Sequence, residues 1–285
     1  MSEYAFAVIG GDLRMTWLTQ LLAQDGHIVK LFGQEENEFA FSNEIIHCAD
    51  IETALAHCDA CLLGLPCTHD NVTVTAPFSE QSITFSEITS LLHPNQILLG
   101  GKLPALPPQV TAIDYANDES FILSNSIPTA EGALQLLMQH SPDTVFDSHI
   151  AITGYGRVAQ QLARIFDAVG AHVTIFARSH TARTRAAMNG YLAKDIRDIL
   201  LYPTPYDAIL NTVPSPLFTS DCLKHVNPHT YLMELASAPG GFDLDAVSRY
   251  NLTCISAGGL PGKVAPRAAA LYIKNTILNR MEELK

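Results

Sequence analysis

Gly154, Gly156 and Ala159 form a Gly-x-Gly-x-x-Ala run directly after the apolar segment His149-Ile150-Ala151-Ile152-Thr153, and they open a stretch, 158–169, with helical apolar spacing. That pattern suits a dinucleotide pyrophosphate. The first glycine permits a tight strand-to-helix turn, the second lets phosphate approach the backbone, and the small third residue lets the helix pack on its strand. Tyr155, Arg157 and Val158 belong to the same turn, whose exposed N–H groups would hold the phosphates. A second strand-like run, Val173-Thr174-Ile175-Phe176, ends in Ala177-Arg178-Ser179, with Arg183 one helical turn further on. An NAD site usually places an acid there, on the ribose hydroxyls; an arginine points instead to the 2′-phosphate of NADP. Arg178 would pair with that phosphate, Ser179 would add a hydroxyl bond and Arg183 further charge; the alternative is a solvated arginine pair beside a helix start. Thr212-Val213-Pro214, ending the next strand, is placed to line the nicotinamide side or to serve as a plain strand exit.

Cys48, Cys58, Cys61 and Cys67 cluster among His47, His57 and His69. The Cys58-x-x-Cys61 spacing could serve a redox pair or half a zinc site, but Cys61 begins the apolar run Cys61-Leu62-Leu63, and no second ligand pair follows. Free, buried thiols in a reducing compartment are therefore expected, with no metal site.

The elements that would position these residues come in two related sets. Asp59-Ala60-Cys61-Leu62-Leu63-Gly64-Leu65-Pro66 is echoed by Asp207-Ala208-Ile209-Leu210-Asn211-Thr212-Val213-Pro214. Each half also opens on a strand leading into glycines, the first at Val8-Ile9-Gly10-Gly11-Asp12. Alternating strands and helices imply right-handed crossovers and parallel sheets. The fold expected is α/β, with two doubly wound, Rossmann-like parallel-sheet domains, an interdomain cleft and linking helices. Its parts are a substrate or interaction domain over 1–127 completed by a C-terminal helix over 265–285, a linking helix over 128–142 with Pro128 in its first turn, and a coenzyme domain over 143–264. In the first half, Asp12 stands where a phosphate would approach, which argues against a second dinucleotide site. The Thr-, Ser- and Asn-rich stretch between Pro66 and Phe85 reads as a surface excursion or a flap.

Composition bounds the partners. With 17 Lys and Arg against 29 Asp and Glu, the 285-residue chain carries a formal charge of −12, which disfavours nucleic acid and anionic membrane. Polar, Gly or Pro residues break every apolar run before the ~18 residues of a spanning helix. The opening Met1-Ser2-Glu3-Tyr4 has no basic n-region, so a soluble, cytoplasmic protein without signal peptide is expected.

Five segments together resemble the A subunit of dipicolinate synthase from spore-forming bacteria. They are Val8-Ile9-Gly10-Gly11-Asp12, Asn125-Ser126-Ile127-Pro128-Thr129-Ala130-Glu131-Gly132, Gly154-Tyr155-Gly156-Arg157, Leu235-Ala236-Ser237-Ala238-Pro239-Gly240-Gly241 and Gly259-Leu260-Pro261-Gly262-Lys263-Val264-Ala265-Pro266. They run in order through nearly the whole chain; Glu234 departs from the pattern, which has Asp before Leu-Ala-Ser. The resemblance implies an NADP-dependent oxidoreductase that oxidises dihydrodipicolinate, a small dicarboxylate, during sporulation. It also implies a partner in a hetero-oligomer, the flavoprotein-like B subunit, and a homo-oligomer is expected as well. Asn125, Ser126 and Thr129, with a helix N-terminus behind them, form one candidate substrate anchor; Lys263 with Arg267 forms another, and Lys102 a third. No general base is identifiable; Glu131, His69 and water are the candidates. Two other readings stay open: a 2-hydroxy acid dehydrogenase, against which stands the lack of an Arg, Glu, His succession in the second half, and a non-catalytic NADP-binding partner subunit.

Overall fold

The computed structural model describes residues 3–201, 203 and 206–284, so Met1, Ser2 and Lys285 of the expected domain limits lie outside the described residues. The chain divides into two units, 1–125 with 261–285, and 126–260.

In the first unit, β1 (Ala5–Ile9), α1 (Leu13–Gln24), β2 (Ile28–Phe32), β3 (Ile46–His47), α2 (Ile51–Leu55), β4 (Ala60–Leu62), α3 (Phe85–Leu91), β5 (Ile97–Gly100) and β6 (Thr111–Asp114) follow one another along the chain. The strands form one parallel sheet in the order β3-β2-β1-β4-β5-β6. Then come α4 (Glu119–His140), which contains the boundary between units, and the second sheet, with β7 (His149–Thr153), α5 (Arg157–Ala168), β8 (His172–Ala177), α6 (His180–Met188), β9 (Leu192–Asp195), α7 (Ile196–Leu201), β10 (Ala208–Asn211), α8 (Ser220–Leu223), β11 (Tyr231–Glu234), α9 (Leu244–Arg249) and β12 (Thr253–Ser256). Its order, β12-β11-β10-β7-β8-β9, is the same winding read from the other edge, again parallel throughout. α10 (Leu260–Val264) and α11 (Pro266–Glu283) end the chain.

The internal echo has a physical basis. The Asp59 carboxylate accepts the Ala5 N–H at 2.8 Å, and the Asp207 carboxylate accepts the His149 N–H at 2.7 Å, so each acid fastens the start of its unit's first strand. Alternate residues of the apolar strands then serve two cores. Ala60 and Leu62 join the core that includes α1 and α11, whereas Cys61 and Leu63 join the one under α2 and α3. Ala208 and Leu210 likewise face the α5 side and Ile209 the opposite side. Sheets covered on both faces need such continuous apolar runs. In the first unit, Ala270, Ile273, Ile277 and Met281 of α11 pack with Met15, Leu18 and Leu22 of α1.

One expectation is corrected and one is refined. The helix at 128–142 begins far earlier, because Asp118 caps α4 by accepting the N–H groups of Ser120 and Phe121; Pro128 lies inside it, not in its first turn. An interior proline removes one bond to the preceding turn, here to residue 124, without ending the helix. The stretch between Pro66 and Phe85 runs partly over the surface, with His69, Asp70, Asn71 and Val72 exposed, but it is anchored to the first unit. Val74 and Ile83 are buried in the first unit's core, and the Thr75 carbonyl accepts the Gly11 N–H at 2.7 Å. The chain thus fills its own glycine turn. No helix among the described residues is long and apolar enough to cross a membrane.

Candidate functional site

In the second sheet the connections leave β7 and β10 in opposite directions, and in open α/β sheets that switch point is where the ligand crevice lies, at the carboxyl ends of the strands. Gly154 leaves β7 there with φ +88°, and its N–H donates to the Phe176 carbonyl at 2.8 Å. A Cβ on Gly154 would stand 2.7 Å from Thr212 Oγ1, which itself donates to the Thr153 carbonyl at 2.7 Å. Glycine is therefore dictated twice, by backbone sign and by space. Gly156 differs: a Cβ there would meet nothing within 4 Å. It is the N-cap of α5, which has no side-chain cap and no acid in its first turn. A helix start of this kind is suited to an anion. Arg157, exposed, is the first residue of the helix, and Val158 packs on the core beneath.

A cavity of about 290 Å³ adjoins this turn, lined by Gly154, Tyr155, Ala177, Arg178, Ser179 and Val213, with Ala182, Ile196 and Leu217 adding apolar wall. Tyr155 is held by its ring edge against Tyr191 and by accepting a hydrogen bond from Asn189 Nδ2 at 2.8 Å. Arg178 is exposed, and its guanidinium makes no hydrogen bond to a described residue. Arg183 is committed elsewhere: its Nη1 donates to the carbonyls of Ala177 and Arg178, both at 2.8 Å, and to Asp195 at 2.9 Å. It braces the loop that carries Arg178 rather than offering a second cation. Hydrogen bonds from the Arg197 side chain and backbone, with the charges of Arg197 and Arg183, hold the Asp195 carboxyl down at about 2. Ser179 Oγ accepts the Ala182 N–H and caps α6, leaving its O–H to donate.

Sequence reasoning missed the polar joint behind Thr212-Val213-Pro214. Asn211, fully buried, accepts from Thr153 Oγ1 at 2.6 Å and from the Val213 N–H at 3.2 Å, and donates to Glu234 Oε1 at 2.7 Å. Glu234 also accepts the N–H groups of Ala236 and Gly241. One buried amide and one carboxylate thus fix the loops leaving β10 and β11. The available signal was an Asn ending the apolar run Ala208-Ile209-Leu210.

The candidate substrate residues are distributed differently. Asn125, Ser126 and Thr129 lie in the interior of α4, so the helix N-terminus expected behind them is not there; Ser126 is buried. Lys263 is exposed on α10. The Arg267 guanidinium stacks 5.9 Å from the centre of the Trp17 ring. Lys102 is exposed after β5, with its backbone N–H on Asp114. Glu131 and His69 are exposed. Among the described residues no group of three or more His, Cys, Asp or Glu is arranged to hold a metal. The six thiols are free, and burial pushes Cys58, Cys67, Cys222 and Cys254 up to about 11. Larger cavities, of about 380 and 470 Å³, open at the other end of the second sheet, but they carry aspartates (Asp143, Asp147, Asp207) and no Arg or Lys for phosphate.

The fold defines the class: a two-unit α/β chain with two doubly wound, Rossmann-like parallel sheets. A transhydrogenase from Sinorhizobium meliloti shares this fold at 12% identity, with TM-score 0.65 over 97% of this chain and 94% of that one. The particular resemblance is narrower and whole-length: the chain is similar to the A subunit of dipicolinate synthase. Residues 5–111 match the family formed by the N-terminal domain of that A subunit. The dipicolinate synthase A subunit of Bacillus subtilis is 27% identical over 286 residues, covering 98% of this chain and 96% of that protein. The crystal structures of the A chains from Bacillus subtilis and Bacillus halodurans each align with TM-score 0.86 at 26% identity, covering 99% and 98% of this chain and 97% and 99% of theirs.

Proposed function

We propose that the chain is the A subunit of a dipicolinate synthase, an NADP-dependent oxidoreductase that converts dihydrodipicolinate to dipicolinate together with a B subunit. The observation that carries this reading is the open turn at Gly156 beside an uncommitted Arg178, within a fold that aligns end to end with the A chains. NADP⁺, when bound, supplies the hydride acceptor. The backbone N–H groups of Arg157 and Val158 and the start of α5 receive the pyrophosphate, for which the Gly154 turn and the small Gly156 leave room. Arg178, its carbonyl held by Arg183, receives the 2′-phosphate, and Ser179 donates its hydroxyl. Tyr155, Ala177 and Ile196 wall the adenosine. Thr212, Val213 and Pro214, fixed by Asn211 and Glu234, stand at the switch point and orient the nicotinamide.

The balance would be simple: the ring would lose one hydride, for which bound NADP⁺ would be the acceptor, and one proton to a base or water, and would become aromatic. Since conjugation drives the step, positioning is the protein's main task. The two substrate carboxylates need donors in a chain of charge −12, and the exposed Lys263 is one candidate cation for them. The test supplies dihydrodipicolinate and NADP⁺ to the purified chain, alone and with the B subunit, and follows NADPH absorbance. Turnover is expected, and its absence in both mixtures would overturn the reading. Turnover only with the B subunit would make catalysis shared, and equal use of NAD⁺ would remove the role given to Arg178.

A further inference from the structure

The first unit keeps the same winding, so it has a switch point of its own between β1 and β4, but the Thr75 carbonyl occupies its glycine turn. What remains at the carboxyl ends of these strands is a buried arginine. Arg14 lies in the first turn of α1 and is only 6% exposed. Its Nε donates to Asp12 Oδ1 at 3.0 Å and its Nη2 to Oδ2 at 2.7 Å. Nη2 also donates to the Leu65 carbonyl, beyond the end of β4. Gly262 closes over the pair: a Cβ there would stand 2.9 Å from Arg14 Nε and 3.1 Å from Asp12 Oδ2, so a side chain at this position would displace the ion pair. One edge of the guanidinium is thus fixed by a carboxylate, a carbonyl and a glycine backbone. The other amino group, Nη1, makes no hydrogen bond to a described residue and is not among the buried polar atoms left without a partner.

We infer that Arg14 is the fixed cation that takes one carboxylate of the substrate through Nη1, and that Asp12 is its positioning residue. The inference rests on the dicarboxylate reading proposed above. A guanidinium held at Nε and Nη2 presents its remaining donor, Nη1, in a set direction, where it can give one charge-assisted hydrogen bond to a carboxylate oxygen. Such an anchor loses little freedom on binding, unlike an exposed lysine. Lys263, next to Gly262 and exposed, is the adjacent mobile cation. Asp12, which argues against a phosphate in this turn, thereby gains a role: it orients the arginine that receives a different anion.

The test is calorimetric titration of the full chain, with and without NADP⁺, using pyridine-2,6-dicarboxylate and pyridine-2-carboxylate as probes. The wild-type chain is expected to prefer the dicarboxylate at least tenfold. Arg14→Met should lose that preference while NADP⁺ affinity stays within twofold. Because breaking a buried ion pair risks the fold, Asp12→Asn, which keeps the helix cap, is the second variant. Removal of a negative charge beside an anion site would by itself tighten binding; a positioning role predicts weaker dicarboxylate binding instead. Unchanged or tighter dicarboxylate binding in Asp12→Asn, or no preference in the wild type, overturns the inference. Failure of the wild type to bind NADP⁺ is a separate result and overturns the proposed function, since the dicarboxylate arm is read without coenzyme as well.

Discussion

At the scale of single residues, two arginines near one strand end do different work. Arg178 and Arg183 look alike in the sequence, five positions apart, and both suggest charge for a phosphate. Packing separates them: Arg183 is enclosed by two carbonyls and Asp195, whereas Arg178 is exposed and lines the cavity beside the glycine turn. Arg178→Ala should weaken NADP⁺ binding tenfold or more, from the loss of charge-assisted bonds of about 1.5–3 kcal/mol, and leave NAD⁺ little changed. Fluorescence titration with both coenzymes reads this directly; equal losses would count against the 2′-phosphate role. Asp195 adds a pH signature. Its pKa is about 2 in the folded protein against an ordinary 3.8, so its stabilising contribution is complete above the ordinary value and disappears as pH falls through about 2. Asp195→Asn should therefore lower Tm at pH 7, and the gap from wild type should close as pH drops from 4 towards 2. Such commitments of a side chain depend on where the folded backbone puts its carbonyls and carboxylates, which is why the role of Arg183, the joint of Asn211 and Glu234, and the clamp on Arg14 were not legible in residue order.

At the scale of elements, most of the fold was legible. Strand runs such as Asp59–Pro66 and Asp207–Pro214 announce themselves because a parallel strand buried on both faces must be apolar without interruption. The helix start at 119 was not, since Pro128 and the Asn-Ser-Ile-Pro-Thr run carry the local marks of a helix beginning while Asp118 provides the actual cap. Nor was the fate of 67–84, whose polar composition suggests surface although its Thr75 carbonyl satisfies the Gly11 N–H. The strand-to-helix turn yields a paired prediction. Gly154→Ala forces φ +88° on an L-residue and drives Cβ onto Thr212, so both melting temperature and coenzyme binding should fall. Gly156→Ala keeps φ at −83° and meets nothing within 4 Å, so Tm should hold while NADP⁺ binding weakens, because on the proposed function the new methyl would stand where the pyrophosphate approaches. Equal behaviour of the two variants in melting and titration would contradict the anion seat.

At the scale of the whole molecule, one winding occurs twice with two outcomes. The second unit keeps an open glycine turn, while the first fills its turn with its own residues and holds an arginine in place beside it. A chain built from two copies of a dinucleotide fold should therefore bind one coenzyme, and calorimetry should give a stoichiometry near one NADP⁺ per chain; two would show that the first turn opens. On the proposed function, the net acidity of the chain requires that a phosphorylated coenzyme and a dianionic substrate each be met by a few placed cations. The central claim is that this chain carries the coenzyme that receives the substrate's hydride. It is tested most directly by mass measurement of the coenzyme after turnover, with the B subunit present, of dihydrodipicolinate deuterated at its saturated ring carbons. Direct transfer predicts singly deuterated NADPH, and label that appears only in water, with unlabelled NADPH, would contradict it.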